Sequence, residues 1–343
     1  MKQIRLYGTN DLRLDDVPEP TAGPSDIVLS VALAGICGTD LGFLHQGYIG
    51  RPGGTVMPLG HELVGTIESV GINVRKLKPG QRVVVHPMKG RNYIGTGDVH
   101  HGGFADRVLV RDASLNDTVF PITDTLDSRR AVLTEPLAVG IHGLNLAKTT
   151  ASDKVVVLGA GPIGLGVVAS LKYRGVRDIA VVDVVDERLE RARALGATAT
   201  VNTAHQKPFA IISESFGTRK SKIYRETTAD TSLVVDCAGY GPLLKEVIEL
   251  CADDTRFVIL ATYKQEFSID LATLMAKQLQ LIGSISYPTE FAEALAMLED
   301  PEFYIDPMIS HCYPITQFAE AFEVAQNARE SAKVLLEVQP SPS

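Results

Sequence analysis

The chain has 343 residues, of which 45% are hydrophobic and 22% charged, and its formal net charge is −8. This length favours two domains, and the negative charge argues against binding to nucleic acid or to an anionic membrane surface. Residues 1–16 contain no apolar signal core. No run approaches the ~20 apolar residues that span a bilayer, so we expect a cytoplasmic protein without a membrane anchor.

Short β-type runs punctuated by Gly and Pro fill the first part of the chain, to about residue 110. Regular helical periodicity is scarce there, so these residues predict an irregular, barrel-like β domain. From about Ser128, apolar strand-like runs alternate with helical patterns, which is typical of a parallel sheet covered by helices. The polar stretch from Gln206 to Thr231 predicts a surface helix and a loop.

A glycine-rich turn follows the apolar run at 155–158, and an acidic residue closes the next apolar run. Gly159 permits a tight turn, Gly161 lets the backbone approach a pyrophosphate, and Gly164 lets the following helix pack closely on the sheet. The free N–H groups and dipole of that helix would face the phosphates. The predicted cofactor-binding residues are Gly159, Gly161, Pro162, Ile163, Gly164, Asp183 and Arg188.

Asp183 favours NAD over NADP, because its carboxylate would bind the adenosine ribose hydroxyls and repel a 2′-phosphate. Arg188 would flank the adenine or offset part of that repulsion. Upstream lie three residues of types that bind zinc, Cys37, His61 and Glu135. A catalytic zinc has about three protein ligands and one open position. By spacing alone, a buried core cysteine and a helix-start glutamate explain these residues as well.

Four motifs occur in a fixed order along the chain, and together they resemble the zinc-dependent medium-chain alcohol dehydrogenase family. They are Gly-Ile-Cys-Gly-Thr-Asp at 35–40, Gly-His-Glu at 60–62, Glu-Pro-Leu-Ala-Val at 135–139 and Gly-Ala-Gly-Pro-Ile-Gly at 159–164. The version at 135–139 resembles the sorbitol, idonate and threonine dehydrogenase branch. Gly-Gly-Phe-Ala at 102–105 and Ala-Lys-Val at 332–334 are further matches.

The resemblance implies an α/β protein with a GroES-like β-barrel catalytic domain and a Rossmann domain with a doubly wound parallel sheet. We expect the catalytic domain at 1–145, with 289–343 returning to it, and the NAD-binding domain at 146–288. The implied activity is hydride transfer between a secondary alcohol, such as a polyol or sugar acid, and NAD. The implied partners are a small alcohol or ketone and further copies of the chain, in a homodimer or homotetramer.

The resemblance also implies roles for individual residues. Cys37 and His61 would hold one catalytic zinc, with Glu62 beside the metal and Glu135 as a third ligand, bound directly or through water. Thr39 would take the substrate's proton. Asp40 would orient the His61 ring, as carboxylates commonly do for metal-bound histidines.

The chain departs from the family at three places. No cysteine occurs between Pro87 and Gly102, so we predict no structural zinc; Lys89, Arg91, His100 and His101 occupy that stretch. Gly42 stands where the family has a relay histidine, leaving His45 or water for the outer proton step. Ser286-Tyr287 replaces the Arg-Tyr pair of polyol dehydrogenases, which weakens a strict polyol assignment. The predicted substrate-pocket residues are Phe43, Tyr48, Arg51 and Tyr287.

Two other interpretations compete with this one. A zinc-free quinone or enone reductase would share the fold but lack the metal ligands and favour NADP. A non-catalytic nucleotide-binding protein would keep the fold without activity, since fold alone does not establish function.

Overall fold

A computed structural model of the chain describes residues 1–47, 56–98, 100–223 and 225–339. The chain forms two compact units. The first contains Met1–Glu135, Phe291–Pro301 and Ile309–Ser343, and the second contains Pro136–Glu290 and Glu302–Met308. The division therefore falls after Glu135 and not at the expected 145/146, and the returning segment is interrupted by Glu302–Met308.

The first unit is mostly β-structure. Its strands are β1 (Lys2–Gly8), β2 (Asp11–Asp16), β3 (Ile27–Ile36), β4 (Met57–Pro58), β5 (Glu62–Val70), β6 (Arg82–Val85), β7 (Arg107–Val110), β8 (Val119–Pro121), β17 (Ile309–Pro314) and β18 (Lys333–Glu337). Its helices are α1 (Gly38–Gln46), α2 (Ser128–Ala131), α9 (Phe291–Glu299) and α10 (Phe318–Gln326). Together they match the barrel-like β domain that the sequence predicts.

A seven-stranded sheet dominates this unit, with the order β17-β18-β3-β5-β6-β8 and β7 paired to β3; β2-β1-β4 form a smaller sheet. Because β3 lies between β18 and β5, residues from distant parts of the chain become neighbours. In particular, Gly35 of β3 pairs with Glu62 of β5, and Val334 of β18 pairs with Ile36 of β3. Apolar side chains from these strands form one continuous buried core.

The second unit alternates strands and helices. Its strands are β9 (Lys154–Leu158), β10 (Asp178–Asp183), β11 (Ala199–Asn202), β12 (Thr218–Lys220), β13 (Thr227–Ala229), β14 (Leu233–Asp236), β15 (Arg256–Ile259) and β16 (Gln280–Gly283). Its helices are α3 (Thr134–Leu146), whose first two residues belong to the first unit, α4 (Pro162–Tyr173), α5 (Asp186–Ala194), α6 (Pro208–Phe216), α7 (Gly241–Leu250) and α8 (Leu271–Ala276).

Six of these strands form a parallel sheet in the order β11-β10-β9-β14-β15-β16. The order runs outward from β9 in both directions, which is the doubly wound arrangement of dinucleotide-binding domains. The predicted α/β fold with a doubly wound parallel sheet is thus confirmed. Ligands of such sheets bind beyond the carboxyl ends of the strands where the order reverses, here at β9 and β14.

Two local elements differ from the sequence-based expectation. The stretch from Gln206 to Thr231 contains α6 as predicted, but an antiparallel hairpin of β12 and β13 follows it where we expected a loop. Helix α1 lies in the part of the chain where helical periodicity is scarce. Among the helices of the described ranges, none is long and apolar enough to cross a membrane.

Candidate active site

A compact group of potential metal ligands lies in the first unit. One ligand atom each from Cys37, His61 and Glu62 lies within 4.8 Å of the other two, with Cys37 half-buried and the other two buried. Across the described ranges this is the one group of its kind. Thiolate, imidazole and carboxylate are the ligand types that zinc binds in proteins.

Helix α1 is positioned by the residues of the first motif. Cys37 precedes the helix and its sulfur accepts a hydrogen bond from the Thr39 N–H, while the Asp40 carboxylate accepts one from the Cys37 N–H at 2.9 Å. These reciprocal bonds form a capping box, which fixes the start of a helix. The sulfur is therefore held at the helix start beside Thr39, whose Oγ1 lies 3.7 Å from it.

Asp40 connects the two ligand-bearing segments. Its other oxygen, Oδ1, accepts a hydrogen bond from the Gly60 N–H at 3.1 Å, next to His61. The distance from Oδ1 to His61 Nδ1 is 3.7 Å, which exceeds a hydrogen bond. Asp40 thus holds the backbones of both segments, and no direct hydrogen bond joins it to the imidazole ring that we expect it to orient.

Glu62 is held in place by a residue to which sequence reasoning gave no role. Its Oε1 lies 2.5 Å from Lys333 Nζ, and the lysine also donates to the Ile36 carbonyl at 3.0 Å. The only signal was the Ala-Lys-Val match at 332–334. The second oxygen, Oε2, is buried and has no hydrogen-bond partner among the described residues. An unsatisfied buried carboxylate oxygen is costly, and a bound cation would satisfy it. The residues present therefore fit a metal ion.

The electrostatics of the site also favour a cation. Burial alone would lower the pKa of His61, but the nearby Cys37, Asp40 and Glu135 raise it well above its ordinary value. Burial raises the pKa of Asp40 despite the opposing effect of His61. Three acidic groups thus surround the imidazole, which is an environment that attracts positive charge.

The other predicted residues of this unit lie in different surroundings. Glu135 is 7% exposed in the first turn of α3 and is outside the group of three, although its charge contributes to the raised pKa of His61. His45 is exposed in the last turn of α1, and Phe43 packs partly buried against the core. Tyr48 and Arg51 lie outside the described residues. Tyr287, in the second unit, is buried.

The second unit contains a cavity of about 570 Å³ at the carboxyl ends of its central strands. Gly159 has a φ of +88°, which favours glycine, and a methyl group on Gly164 would lie 1.9 Å from the Gly159 carbonyl oxygen. Gly161 precedes α4, and Pro162 is the first residue of that helix. A methyl group on Gly161 would meet only Arg188 Nη1, at 3.8 Å. The protein itself therefore leaves room at Gly161, which fits the close approach of a ligand.

Asp183 and Arg188 both line this cavity. Asp183 Oδ2 accepts a hydrogen bond from the Ala160 N–H, and Oδ1 accepts two more from the N–H groups of Val184 and Val185. Burial lowers the pKa of Arg188, and its buried Nε has no hydrogen-bond partner among the described residues. A guanidinium that lines a cavity and keeps an unpaired Nε fits a negatively charged ligand.

Sequence reasoning missed several residues of the cavity wall. They follow the carboxyl ends of β11 and β14 and include Thr203, Ala204, Cys237, Ala238 and Tyr240. The rule that ligands bind beyond these strand ends could have identified them. Burial raises the pKa of the Cys237 thiol well above its ordinary value, so this cysteine is not an activated nucleophile.

Comparison with known proteins gives matches in both parts of the chain. Residues 23–122 match the alcohol dehydrogenase GroES-like domain, and residues 162–300 match the zinc-binding dehydrogenase domain. The chain is 29% identical to (R,R)-butanediol dehydrogenase of Neisseria gonorrhoeae, over 97% of this chain and 98% of that one. It is 27% identical to sorbitol dehydrogenase of Rattus norvegicus, over 98% and 95% of the two chains.

Among solved structures, 2R,3R-butanediol dehydrogenase from Bacillus subtilis superposes with a TM-score of 0.87 at 26% identity, over 98% of this chain and 99% of that one. The two domain matches, the full-length relatives and this superposition lead to one assignment. The chain belongs to the zinc-dependent medium-chain alcohol dehydrogenase family.

Proposed function

We propose that this protein reversibly oxidises a secondary alcohol to a ketone with zinc and NAD. The observation that carries the proposal is the compact group Cys37, His61 and Glu62, in a chain that also carries a dinucleotide-type cavity. The relatives named for butanediol and sorbitol support a substrate with several hydroxyl groups or a related hydroxy compound. Ser286 stands where polyol dehydrogenases have arginine, so the proposed substrate class extends to sugar acids and other secondary alcohols.

The zinc would be held by Cys37 and His61, with Glu62 or Glu135 as the carboxylate ligand. When bound, zinc supplies Lewis acidity toward the substrate hydroxyl and NAD accepts the hydride. Thr39 would receive the hydroxyl proton, since its Oγ1 lies 3.7 Å from Cys37 Sγ. Because Gly42 offers no side chain, His45 or a water molecule would carry the proton outward. Phe43, Tyr48, Arg51 and Tyr287 remain the proposed pocket residues.

The dinucleotide would occupy the cavity of the second unit. The N–H groups at the start of α4 would bind its pyrophosphate. Asp183 would accept from the ribose hydroxyls and disfavour a 2′-phosphate, which supports NAD as the cofactor. Arg188 would flank the adenine or offset part of that repulsion.

We propose one catalytic zinc and no structural zinc. The proposal is supported by the lack of cysteine between Pro87 and Gly102, where side-chain hydrogen bonds and ion pairs hold the chain instead. The alternative of a zinc-free reductase would leave the compact group of Cys37, His61 and Glu62 without a purpose. A non-catalytic nucleotide-binding protein would not need this group of three residues either.

We also propose a homodimer, or a tetramer built from such dimers, in the cytoplasm. The support is the edge of the six-stranded sheet, where β16 has β15 as its single strand neighbour within the described ranges. Leu281 in β16 and Ile285 just after it are exposed, as are Leu271 and Met275 of α8. An unpaired strand edge beside exposed apolar side chains favours pairing with a second copy.

The test uses purified protein and two readouts. Metal analysis is expected to give about one zinc per chain, and NADH absorbance is expected to rise with at least one member of a panel of diols, polyols, aldonates and β-hydroxy amino acids. Thr39→Ala should keep the zinc and lose most turnover. Full turnover of Thr39→Ala would contradict the proton route, and bound NAD without zinc or turnover would support the non-catalytic alternative.

A further inference from the structure

The described residues of the segment from Pro87 to Gly103, here called the lobe, pack backbone to backbone against the residues that precede His61. The Gly103 N–H donates to the Gly60 carbonyl at 2.7 Å. A methyl group on Gly95 would lie 2.0 Å from the Gly60 oxygen, and one on Gly102 would lie 2.3 Å from the Leu59 oxygen. There is no room for a side chain at Gly95 or Gly102 in this contact, so the close packing couples a shift of the lobe to Leu59 and Gly60.

The shape of the lobe is fixed from within by Asp98. Its Oδ1 accepts hydrogen bonds from the N–H groups of His100 and His101 at 2.8 and 3.2 Å. Its Oδ2 pairs with Arg111 Nη1, and the Asp98 side chain is only 7% exposed. The His101 carbonyl in turn accepts a hydrogen bond from the Gly95 N–H at 2.9 Å. Asp98 therefore determines where Gly95 and the residues after His101 meet Gly60.

Arg111 is anchored by a buried amide as well as by Asp98. Asn92 is fully buried, and its Nδ2 donates to the carbonyls of Lys89 and Arg111 at 2.8 Å each. Its Oδ1 accepts from the Arg111 N–H, also at 2.8 Å. The backbone of Arg111 is thus tied to the lobe while its guanidinium holds Asp98, and charge-assisted bonds of this kind are stronger than neutral ones.

On the other side of this contact, hydrogen bonds through Asp40 connect the Gly60 backbone, next to His61, with the Cys37 backbone. The Gly60 N–H donates to Asp40 Oδ1, and Asp40 Oδ2 accepts from the Cys37 N–H. The geometry points to Asp98 and Arg111 as positioning residues for the metal site, acting through the lobe and Gly60 to keep Cys37 and His61 at ligand distance. This inference rests on the proposed assignment of Cys37 and His61 as metal ligands.

Cobalt titration of the zinc-depleted protein tests this role, because Co²⁺ takes zinc-type sites and absorbs light characteristically when bound to thiolate. We compare the wild type with Asp98→Asn, Arg111→Gln and Arg111→Lys. Asp98→Asn and Arg111→Gln are expected to weaken Co²⁺ binding about 10–100-fold, the usual cost of losing groups that orient metal ligands. Their cobalt–thiolate spectrum should also change. Arg111→Lys keeps the positive charge and should weaken Co²⁺ binding less than these two variants do.

Arg91→Gln is the matched control, since Arg91 lies in the same lobe and pairs with Asp112, but its side chain is 68% exposed. It should leave the affinity and spectrum of cobalt unchanged. Equal Co²⁺ affinity and spectra in all five proteins would overturn the positioning role. If Asp98→Asn or Arg111→Gln unfolds, Arg111→Lys decides, and wild-type affinity and spectrum in that variant would count against the proposal. If the wild type itself shows no cobalt–thiolate band, the ligand assignment fails instead.

Discussion

Lys333 Nζ lies 2.5 Å from Glu62 Oε1, and the side chains are only 2% and 0% exposed. Burial alone would lower the pKa of Lys333, but Glu62 and the nearby Cys37 and Glu135 raise it above its ordinary value. The lysine therefore stays charged and balances one negative charge beside the proposed metal ligands. It leaves Glu62 Oε2 free, so the same carboxylate can be paired and still face a cation.

Lys333→Met is expected to destabilise the zinc-free protein by about 3–5 kcal/mol, because it leaves the Glu62 carboxylate buried without a counter-charge. The double variant Glu62→Gln with Lys333→Met removes both charges and should recover most of that loss. Urea unfolding of the zinc-free proteins measures both effects. If the single and the double variant were equally stable, the ion pair with Lys333 would not be what compensates the buried charge of Glu62.

Gly35→Ala tests the space beside the same carboxylate. Gly35 is opposite Glu62 in the β3–β5 pair, and a methyl group there would lie 2.0 Å from Glu62 Oε2. Since Lys333 fixes the other oxygen, we expect a loss of about 1–3 kcal/mol in stability and a lower zinc content. Gly42→Ala in α1 meets nothing within 4 Å and should slightly stabilise the helix. Unaltered zinc content in Gly35→Ala would argue against Glu62 as a ligand.

Much of the second unit could be predicted from sequence, because its strands are continuous apolar runs between glycine-rich turns. Helix α1 could not, since its start depends on a cysteine sulfur, which is not among the usual capping groups. The Lys333–Glu62 pair could not be predicted either. It depends on β18 pairing with β3, which brings together two residues that are 271 positions apart. No local sequence pattern indicates such a distant contact. The β12–β13 hairpin is polar and short, so it lacks the alternation that identifies strands.

Asp183→Asn is expected to weaken the preference for NADH over NADPH. The substitution removes the charge that would repel a 2′-phosphate but keeps one oxygen for the N–H groups of Val184 and Val185. A hydrogen bond to a charged group contributes about 1.5–3 kcal/mol, so the ratio of the two dissociation constants should change by about tenfold or more. Fluorescence titration with each reduced cofactor measures the ratio. An unchanged ratio would reject the assigned role of Asp183.

Charge at the β16 edge should disrupt the proposed dimer. Leu281 and Ile285 are 41% and 88% exposed, so replacing both with arginine should not disturb the core of the unit but should repel a second copy. Light scattering during size-exclusion chromatography is expected to give the mass of one chain for this variant and of at least two for the wild type. Ile72→Arg, at another exposed apolar position, is the control and should leave the assembly intact. An intact assembly in the double variant would place the interface elsewhere.

His101 gives the lobe a pH-dependent stability. Its side chain is 8% exposed, and burial lowers its pKa to about 4 despite the opposing charge of Asp98, while Arg111 and His100 lower it further. The unfolded chain takes up a proton below about pH 6.5, but the folded protein does not until about pH 4. Stability should therefore fall as the pH drops through this window, by about 3 kcal/mol in total.

His101→Gln should flatten this pH dependence, and His205→Gln, at an exposed position, should not. Urea unfolding at pH 7, 6 and 5 measures the difference between each variant and the wild type, so the titration of all other groups cancels. If the free energy of unfolding changed with pH equally in His101→Gln and in the wild type, the imidazole would be protonated within the folded lobe. In that case Asp98 would have to balance two cations, and its pairing with Arg111 would weaken as the protein is acidified.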